Sequence, residues 1–429
     1  MLNRLTPAVR RVLGNAGWLM VDRVVRMGLG VFVGVWVARY LGPAKFGTLN
    51  FAISFVALVG TAASLGLDNI VVKEIVLSES HAPEILGTAF ALKICGCIFT
   101  PLLAIGAIRL VQPNDHMAIL LVSLLAIGLI FQLFDTIDSY FQSKIQSKLT
   151  VWAKNTAFLL VAGVRIWFIH IKAPLWFFAA AQVAELALGA MGLILIHRWT
   201  GGRLSLWRAK RQRAVALLKQ SWPVMLSSMA IMIYMRIDMV MLKVMQGEKA
   251  VGLYAAATRV SEVWYFIPMA IVSSVSPAII RSRDNPEVYY QRIRKLFSLM
   301  TLIAVGIGSG IALGSHWIIH TLYSAAFDSA GPVLAVHVWA SVFVFMGVAQ
   351  SPWDISENLL TLGFYRTLAG AVANVLLNLV LIPRYAAMGA AIATVISYAI
   401  AGVFANAFDL RTRPIFFLQL KSFLPVKLW

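Results

Sequence analysis

The sequence predicts an all-α integral membrane protein with about twelve transmembrane helices, and three observations lead to this prediction. Apolar residues make up 60% of the 429 residues and charged residues only 13%, whereas soluble domains carry about 45–50% apolar and roughly 25% charged residues. The apolar residues form continuous runs of about 20 residues, long enough to cross a bilayer. These runs lack the alternation of barrel strands, so the spans are expected to be helices.

Helix-breaking residues separate the apolar runs and set the predicted span limits. Gly42-Pro43 and Gly331-Pro332 each lie between two runs, and Gly and Pro mark turns. The predicted spans are residues 15–39, 45–67, 84–110, 116–139, 150–170 and 173–197 in the first half, and 221–244, 249–279, 294–322, 332–354, 360–382 and 388–409 in the second.

The distribution of Lys and Arg predicts the orientation of the loops. The formal net charge is +19, from 37 Lys and Arg against 18 Asp and Glu. With the N-terminus inside, the predicted cytoplasmic segments hold 24 of these basic residues and the outer segments seven. Cytoplasmic loops carry such an excess. We therefore expect the charge to reflect topology rather than nucleic-acid binding, with both termini in the cytoplasm.

A weak internal repeat divides the chain into two halves. An offset of 204 to 205 aligns Arg39 with Lys243, and Phe46-Gly47 with Val251-Gly252. Parallel repeats of six spans are typical of transporters with a site between the halves near the membrane midplane; chance similarity of apolar helices is the alternative. The predicted parts are an N-terminal six-helix lobe, a basic cytoplasmic linker that contacts anionic lipid, a C-terminal six-helix lobe and a cytoplasmic tail, at residues 1–200, 201–220, 221–410 and 411–429.

Ionisable residues inside the predicted spans are candidate functional residues, because each costs a few kcal/mol at the bilayer centre. Asp22 and Arg26 are four residues apart in the first span and therefore share a helical face. The repeat offset moves this face onto Tyr234 and Asp238 of the seventh span, with Arg236 between them. These faces are predicted to line a cavity.

The second span carries a small and polar stripe at helical spacing. The repeat offset moves two of its positions, Ser54 and Ala57, onto Arg259 and Glu262 of the eighth span. We therefore expect the first, second, seventh and eighth spans to share one cavity. The stripe consists of Asn50, Ser54, Ala57, Thr61, Ser64 and Asp68.

Arginines in such a cavity are suited to an anion, because guanidinium groups form forked hydrogen bonds with phosphate oxygens. Nearby carboxylates could exchange protons or compete for the same arginines. The predicted substrate-binding residues are Arg26, Tyr234, Arg236 and Arg259; the predicted ion-coupling residues are Asp22, Asp238 and Glu262; the predicted cavity-lining residues are Asn50, Ser54, Thr61 and Asp68.

A structural interpretation of these charges stays open beside the functional one. Asp22 with Arg26, and Arg259 with Glu262, could be ion pairs that neutralise each other within one helix. Interhelical pairing is favoured over a cavity role for three further charges, Lys93, Arg165 and Glu185.

Motifs for catalysis, metals or cofactors are missing from the sequence. His316 and His320 have metal-pair spacing but no third ligand in their span. There is no phosphate-binding loop for ATP. The prediction is therefore a protein that is not an enzyme and uses neither a metal nor a cofactor.

Several segments carry a family resemblance. Val37 to Gly47, with the sequence VARYLGPAKFG, resembles the first outer loop of bacterial polysaccharide repeat-unit flippases of the O-antigen type. These belong to the multidrug/oligosaccharidyl-lipid/polysaccharide (MOP) exporter superfamily. Further segments resemble the same family between about residues 15 and 410: Leu65-Gly66-Leu67-Asp68, Val71-Val72-Lys73-Glu74, Arg236-Ile237-Asp238 and Val251-Gly252-Leu253-Tyr254.

The resemblance implies a MATE/MOP-like fold with two six-helix lobes. It implies transfer of an undecaprenyl-pyrophosphate-linked oligosaccharide from the cytoplasmic to the outer leaflet of the bacterial inner membrane, by alternating access driven by ion antiport. The expected partners are this lipid-linked glycan, the bilayer, and polysaccharide polymerase and chain-length proteins. The diphosphate is expected on the three arginines and a sugar on Tyr234. The alternatives are a drug/ion antiporter of the same superfamily and a non-transporting scaffold for polysaccharide assembly.

Overall fold

The computed structural model describes the backbone of residues 7–423 and the side chains from Arg26 to Phe423. Every regular element in this part of the chain is helical. The α-helices are α1 Pro7–Gly60, α2 Asp68–Leu77, α3 Ala82–Val111, α4 His116–Gly128, α5 Asp135–Ser143, α6 Ser147–His170, α7 Leu175–Trp199, α8 Arg211–Gln246, α9 Glu248–Glu262, α10 Phe266–Ile280, α11 Pro286–Tyr323, α12 Ala330–His337, α13 Ala340–Ser356, α14 Leu360–Gly402 and α15 Arg413–Lys421. Short 3-10 turns occupy Glu79–His81, Leu129–Phe134, Leu204–Leu206, Val263–Tyr265, Ala325–Phe327 and Phe404–Ala407.

Ten helical runs in the described part are long and apolar enough to cross a membrane. Two of them contain a residue with non-helical backbone angles, Gly42 in α1 and Ala386 in α14. Gly42 precedes Pro43, and a proline inside a helix removes a backbone hydrogen bond and breaks the helix. Counting both sides of the two breaks gives twelve segments, so the predicted membrane-protein fold class is confirmed.

The second span ends earlier than its apolar run. The helix stops at Gly60, and turns follow until α2 begins at Asp68. Leu65 and Gly66 have positive φ angles of 53° and 66°. The predicted polar stripe is therefore not one continuous helical face, because Thr61 and Asp68 lie beyond the end of the helix that carries Asn50.

The chain forms two compact units. The first comprises Met1–Tyr40 and Phe51–Met232, and the second comprises Leu41–Asn50 and Ile233–Trp429. The boundary at Met232 lies within α8. Because α8 begins at Arg211, the second half of the predicted linker at residues 201–220 is α-helical. The division into two six-helix lobes stays a prediction.

The first unit buries the short helix α2 between the start of α3 and the start of α8. Val71 and Ile75 of α2 pack with Ile85 of α3 and Leu217 of α8 in one apolar cluster. The connection before α8 also packs against α3, because a Cβ atom on Gly87 of α3 would overlap the Arg208 backbone.

The second unit has an aromatic core built from α10, α11 and α13. Phe297, Phe345 and Trp353 are at most 2% exposed and belong to one cluster. The predicted C-terminal tail contains α15, which contributes Ile415 to this core. The side chain of Gln419, also on α15, forms buried hydrogen bonds with Gln350 and Asn406.

Two glycines in the second unit allow a close backbone contact. A Cβ atom on Gly47 would overlap the Glu248 carbonyl, and one on Gly252 would overlap the Pro43 carbonyl. Gly47 and Gly252 are also the glycines that the internal repeat aligned. Small residues at helix interfaces let backbones approach closely in membrane proteins.

We expect Gly47→Ala to lower the stability of the protein by about 1–3 kcal/mol, because an added methyl group forces packed backbones apart. The measurement is the melting temperature of the purified protein in detergent. Gly306→Ala is the matched control, since an added Cβ there has no neighbour within 4 Å. Equal melting temperatures for the two variants would contradict the contact.

Candidate functional site

Asp238 on α8 is the centre of a buried polar network in the second unit. The side chain is 2% exposed. Its Oδ2 accepts hydrogen bonds from the Tyr254 hydroxyl at 2.5 Å and the Thr394 hydroxyl at 2.8 Å, and its Oδ1 accepts one from Asn378 Nδ2 at 3.4 Å. Asn378 Nδ2 also donates to Asn374 Oδ1 at 2.9 Å.

The Asp238 network contains only neutral partners. No Lys or Arg in the described part forms an ion pair with this carboxylate. Asn378 Oδ1 and Asn374 Nδ2 are buried without a hydrogen-bond partner. A buried carboxylate is costly unless a cation or a proton compensates it, and an orphaned amide oxygen is an additional ligand for such a cation.

Arg236 and Glu262 form an ion pair between α8 and α9. Arg236 Nη2 lies 3.4 Å from Glu262 Oε2, and the two side chains are 30% and 20% exposed. The alternative pairing of Arg259 with Glu262 is therefore wrong. Arg259 instead lies over the ring of Phe46, 5.7 Å from its centroid, in a cation–π contact.

Tyr234 lies on α8, as do Arg236 and Asp238, and stacks on another tyrosine. Its ring centroid is 4.1 Å from that of Tyr398, with 19° between the planes. Gly370 lies close by, because a Cβ there would be 3.0 Å from Tyr234 Cε2. One face of the Tyr234 ring is therefore occupied by Tyr398.

Arg26 in the first unit contacts several polar and aromatic groups. Its Nε donates to Asn155 Oδ1 at 3.1 Å, and its guanidinium lies over the Phe158 ring at 5.4 Å. Nη1 is 3.7 Å from Glu185 Oε1, and Arg165 lies 3.1 Å from the other oxygen of Glu185. The predicted interhelical pairing of Glu185 is thus confirmed.

The predicted cavity-lining residues fall into different environments. Asn50 is buried and donates to the Phe46 carbonyl at 2.8 Å, and Thr61 bonds to the Leu58 carbonyl. Ser54 is also buried, at 3% exposed. Asp68 forms an ion pair with Lys93. Lys93 was predicted to pair between helices, as were Arg165 and Glu185. The Asp22 side chain lies outside the described residues.

A known protein family matches the larger part of the chain. The family described as "Polysaccharide biosynthesis protein" matches residues 12–283, which is well over half of the sequence. This chain belongs to that family. The resemblance to a polysaccharide family that the loop motifs carry is therefore confirmed.

Two relatives of the protein come from Haloferax volcanii. The protein is 24% identical over 400 residues to the "Probable low-salt glycan biosynthesis flippase Agl15", covering 89% of this chain and 80% of the relative. It is 27% identical over 203 residues to the "Probable flippase AglR", covering 45% of this chain and 42% of the relative. The chain thus aligns with less than half of AglR.

Solved structures show the same fold. An inward-facing multidrug resistance MATE family transporter of the MOP superfamily superposes with a TM-score of 0.73 at 16% identity, covering 94% of this chain and 99% of the other. The lipid II flippase MurJ in an inward closed conformation gives 0.72 at 13% identity, covering 96% and 91%. The MATE/MOP-like fold prediction is confirmed.

The described members of the Asp238 network other than Asp238 are uncharged and were not among the predicted residues. The sequence search looked for ionisable residues in the spans and therefore missed these neutral side chains. They are Tyr254 on α9 and Asn374, Asn378 and Thr394 on α14. Asn374 and Asn378 do share a helical face by their spacing of four. A search for amides inside apolar spans would have found this pair.

We expect Glu262→Gln to lower the stability by about 1–3 kcal/mol, because it leaves Arg236 without its carboxylate in a largely buried position. Thermal unfolding of the purified protein measures this loss. Glu357→Gln is the control, since Glu357 pairs with a half-exposed Arg283 and exposed pairs contribute about 0–1 kcal/mol. A larger loss for Glu357→Gln than for Glu262→Gln would refute the ranking.

Proposed function

We propose that this protein is a flippase for lipid-linked oligosaccharide, with undecaprenyl pyrophosphate as the lipid carrier. It would move the glycan from the cytoplasmic to the outer leaflet of the cytoplasmic membrane, with both termini inside. Membership of the polysaccharide biosynthesis family and two relatives named as flippases support this substrate class. Polysaccharide polymerase and chain-length proteins are the proposed partners downstream.

The observation that carries the coupling mechanism is Asp238, a buried carboxylate without a cationic partner among the described residues. An isolated ionised carboxylate would be neutralised or compensated in such surroundings. Asp238 would therefore bind a proton or a monovalent cation such as sodium. Binding and release of this cation would drive alternating access.

The Arg236–Glu262 pair is the proposed link to the diphosphate. The pair is partly accessible, and its 3.4 Å separation leaves room for a stronger acceptor. Phosphate oxygens form forked, charge-assisted hydrogen bonds with guanidinium and compete with Glu262 for Arg236. Glu262 would then be released to accept a proton, as an ion-coupling residue.

Arg259 is proposed to assist Arg236 in binding the diphosphate, whereas Arg26 is already held by polar partners in the first unit. Arg259 makes a cation–π contact that leaves its guanidinium without a described carboxylate partner, so it would offer charge to the diphosphate. Arg26 is held by Glu185 and Asn155. Tyr234 would present to a sugar the ring face that Tyr398 does not cover.

We expect Asp238→Asn to abolish ion-driven transport, because an amide carries no charge that a cation could compensate. The measurement is flipping of a fluorescent lipid-linked oligosaccharide in proteoliposomes under an imposed pH gradient or an imposed sodium gradient. The gradient that drives flipping, pH or sodium, identifies the coupling ion. Asp409→Asn is the control, because Asp409 lies on an exposed turn beside Arg411, which lowers the pKa of Asp409 to about 2.

Wild-type flipping that responds to neither gradient, or an Asp238→Asn variant that responds like the wild type, would contradict ion coupling at this residue. Transport of a cationic drug in the same vesicles without transport of the lipid-linked glycan would instead support the drug/ion antiporter.

We expect Arg236→Gln to reduce flipping by about 10–100-fold, since a hydrogen bond to a charged group contributes about 1.5–3 kcal/mol. Initial flipping rates in proteoliposomes measure this effect. Arg283→Gln, which removes an arginine from an exposed ion pair, should flip at the wild-type rate. Equal rates for the two variants would remove Arg236 from the substrate site.

A further inference from the structure

The first unit contains a cavity of about 230 Å³ that is separate from the Asp238 network. Helices α5, α6 and α7 contribute most of its charged and polar lining. Its polar lining residues are Arg26, Gln132, Asp135, Lys154 and Glu185, and Phe131 adds an aromatic ring.

The charges that line this cavity balance. Two are cationic, Arg26 and Lys154, and two are anionic, Asp135 and Glu185. Lys154 Nζ lies 2.9 Å from Asp135 and 2.7 Å from Asp138. Each cation of the cavity is thus already paired with a carboxylate of the same unit, so the lining has no net charge to offer a multiply charged ligand.

A buried glycine confirms that the cavity is open space. Gly189 on α7 lines the cavity and is buried, yet a Cβ atom added to it would have no neighbouring atom within 4 Å. In a packed interior, a buried Cβ normally touches several atoms. The space in front of Gly189 is therefore available to a ligand.

Size and chemistry restrict the ligand class. A volume of 230 Å³ is below the roughly 300–1,000 Å³ of sites for drug-sized molecules, so it suits a single ring. Carboxylate and amide oxygens accept hydrogen bonds from hydroxyl groups, and the Lys154 ammonium donates them. A diphosphate would instead meet Asp135 and Glu185, and like charges in such a site repel by several kcal/mol.

We propose that this cavity binds one uncharged sugar residue of the transported glycan. The proposal rests on the function proposed above and adds a subsite to it. The carbohydrate hydroxyls would bind the charged lining residues of this cavity, and the diphosphate would bind elsewhere. The polar groups of the cluster would orient the sugar, and Phe131 would contact its apolar ring face.

Saturation-transfer NMR on the full-length protein in nanodiscs tests the subsite directly. The probes are a panel of neutral hexoses and N-acetylhexosamines, glucuronate as an acidic sugar, and inorganic pyrophosphate as a competitor. We expect at least one neutral sugar to receive saturation, glucuronate to receive none, and pyrophosphate to leave the signal of the neutral sugar unchanged.

Gly189→Leu is the decisive variant, because its side chain fills the cavity. We expect it to weaken sugar binding at least about tenfold and to slow flipping, with an unchanged or higher melting temperature, since Leu favours a helix over Gly. Gly189→Ala should give an intermediate loss. Gly163→Leu is the matched control: Gly163 lies on α6, is exposed and also has space for a Cβ.

Three results would overturn the subsite: no neutral sugar binds the wild type, Gly189→Leu binds sugar as well as Gly163→Leu does, or pyrophosphate displaces the sugar. Failure of the underlying function has a different signature. In that case wild-type proteoliposomes flip no lipid-linked glycan, whatever the NMR experiment reports for free sugars.

Discussion

The electrostatic cost of charge in an apolar medium governs where the polar groups of this protein lie. Ionised side chains are tolerated in membrane-spanning helices when they are paired or face water. The described structure follows this rule on several helices: most charges in the spans have a partner of opposite sign on a neighbouring helix. These pairs are Arg236 with Glu262, Arg26 and Arg165 with Glu185, Lys93 with Asp68, and Lys154 with Asp135 and Asp138.

Asp238 has no such partner among the described residues, and we therefore propose a different role for it from that of the paired charges. Breaking an ion pair leaves both charges uncompensated, so a paired charge responds to a ligand that replaces one partner. Asp238 has only hydroxyl and amide partners, and we propose that it responds to the arrival or loss of a small cation. In the proposed mechanism, anion exchange at Arg236 and cation exchange at Asp238 are therefore two chemically separate events on α8, two residues apart.

The helical architecture could be predicted because span length and helix breakers are local properties. The breaks at Gly42 and Ala386 divide long helices near the predicted loops. The prediction was less accurate where a local pattern was extended past its helix: the polar stripe ends at Gly60, although the apolar run continues to Leu67. Position in an apolar run does not determine where a backbone turns, because left-handed residues such as Leu65 are held by packing.

The site could be predicted only where it carried charge. Arg236, Asp238 and Glu262 were found because ionisable residues are rare in spans. Their partners depend on which helices meet, so the sequence offered Arg259, on the same helix, as the ion-pair partner of Glu262, whereas the structure pairs Glu262 with Arg236. The neutral hydrogen-bond partners of Asp238 lie on α9 and α14. Thr394 is more than one hundred residues further along the chain, and no local sequence pattern links these residues to Asp238.

Infrared difference spectroscopy of the Asp238 carboxyl group is the most direct test of the central claim that this buried group requires a compensating cation. Spectra of the wild type and Asp238→Asn would be compared at several pH values, with and without sodium. We expect either a protonated carbonyl band or a carboxylate band that depends on sodium, and we expect this band to be absent in Asp238→Asn. An ionised carboxylate band that is independent of sodium would contradict it.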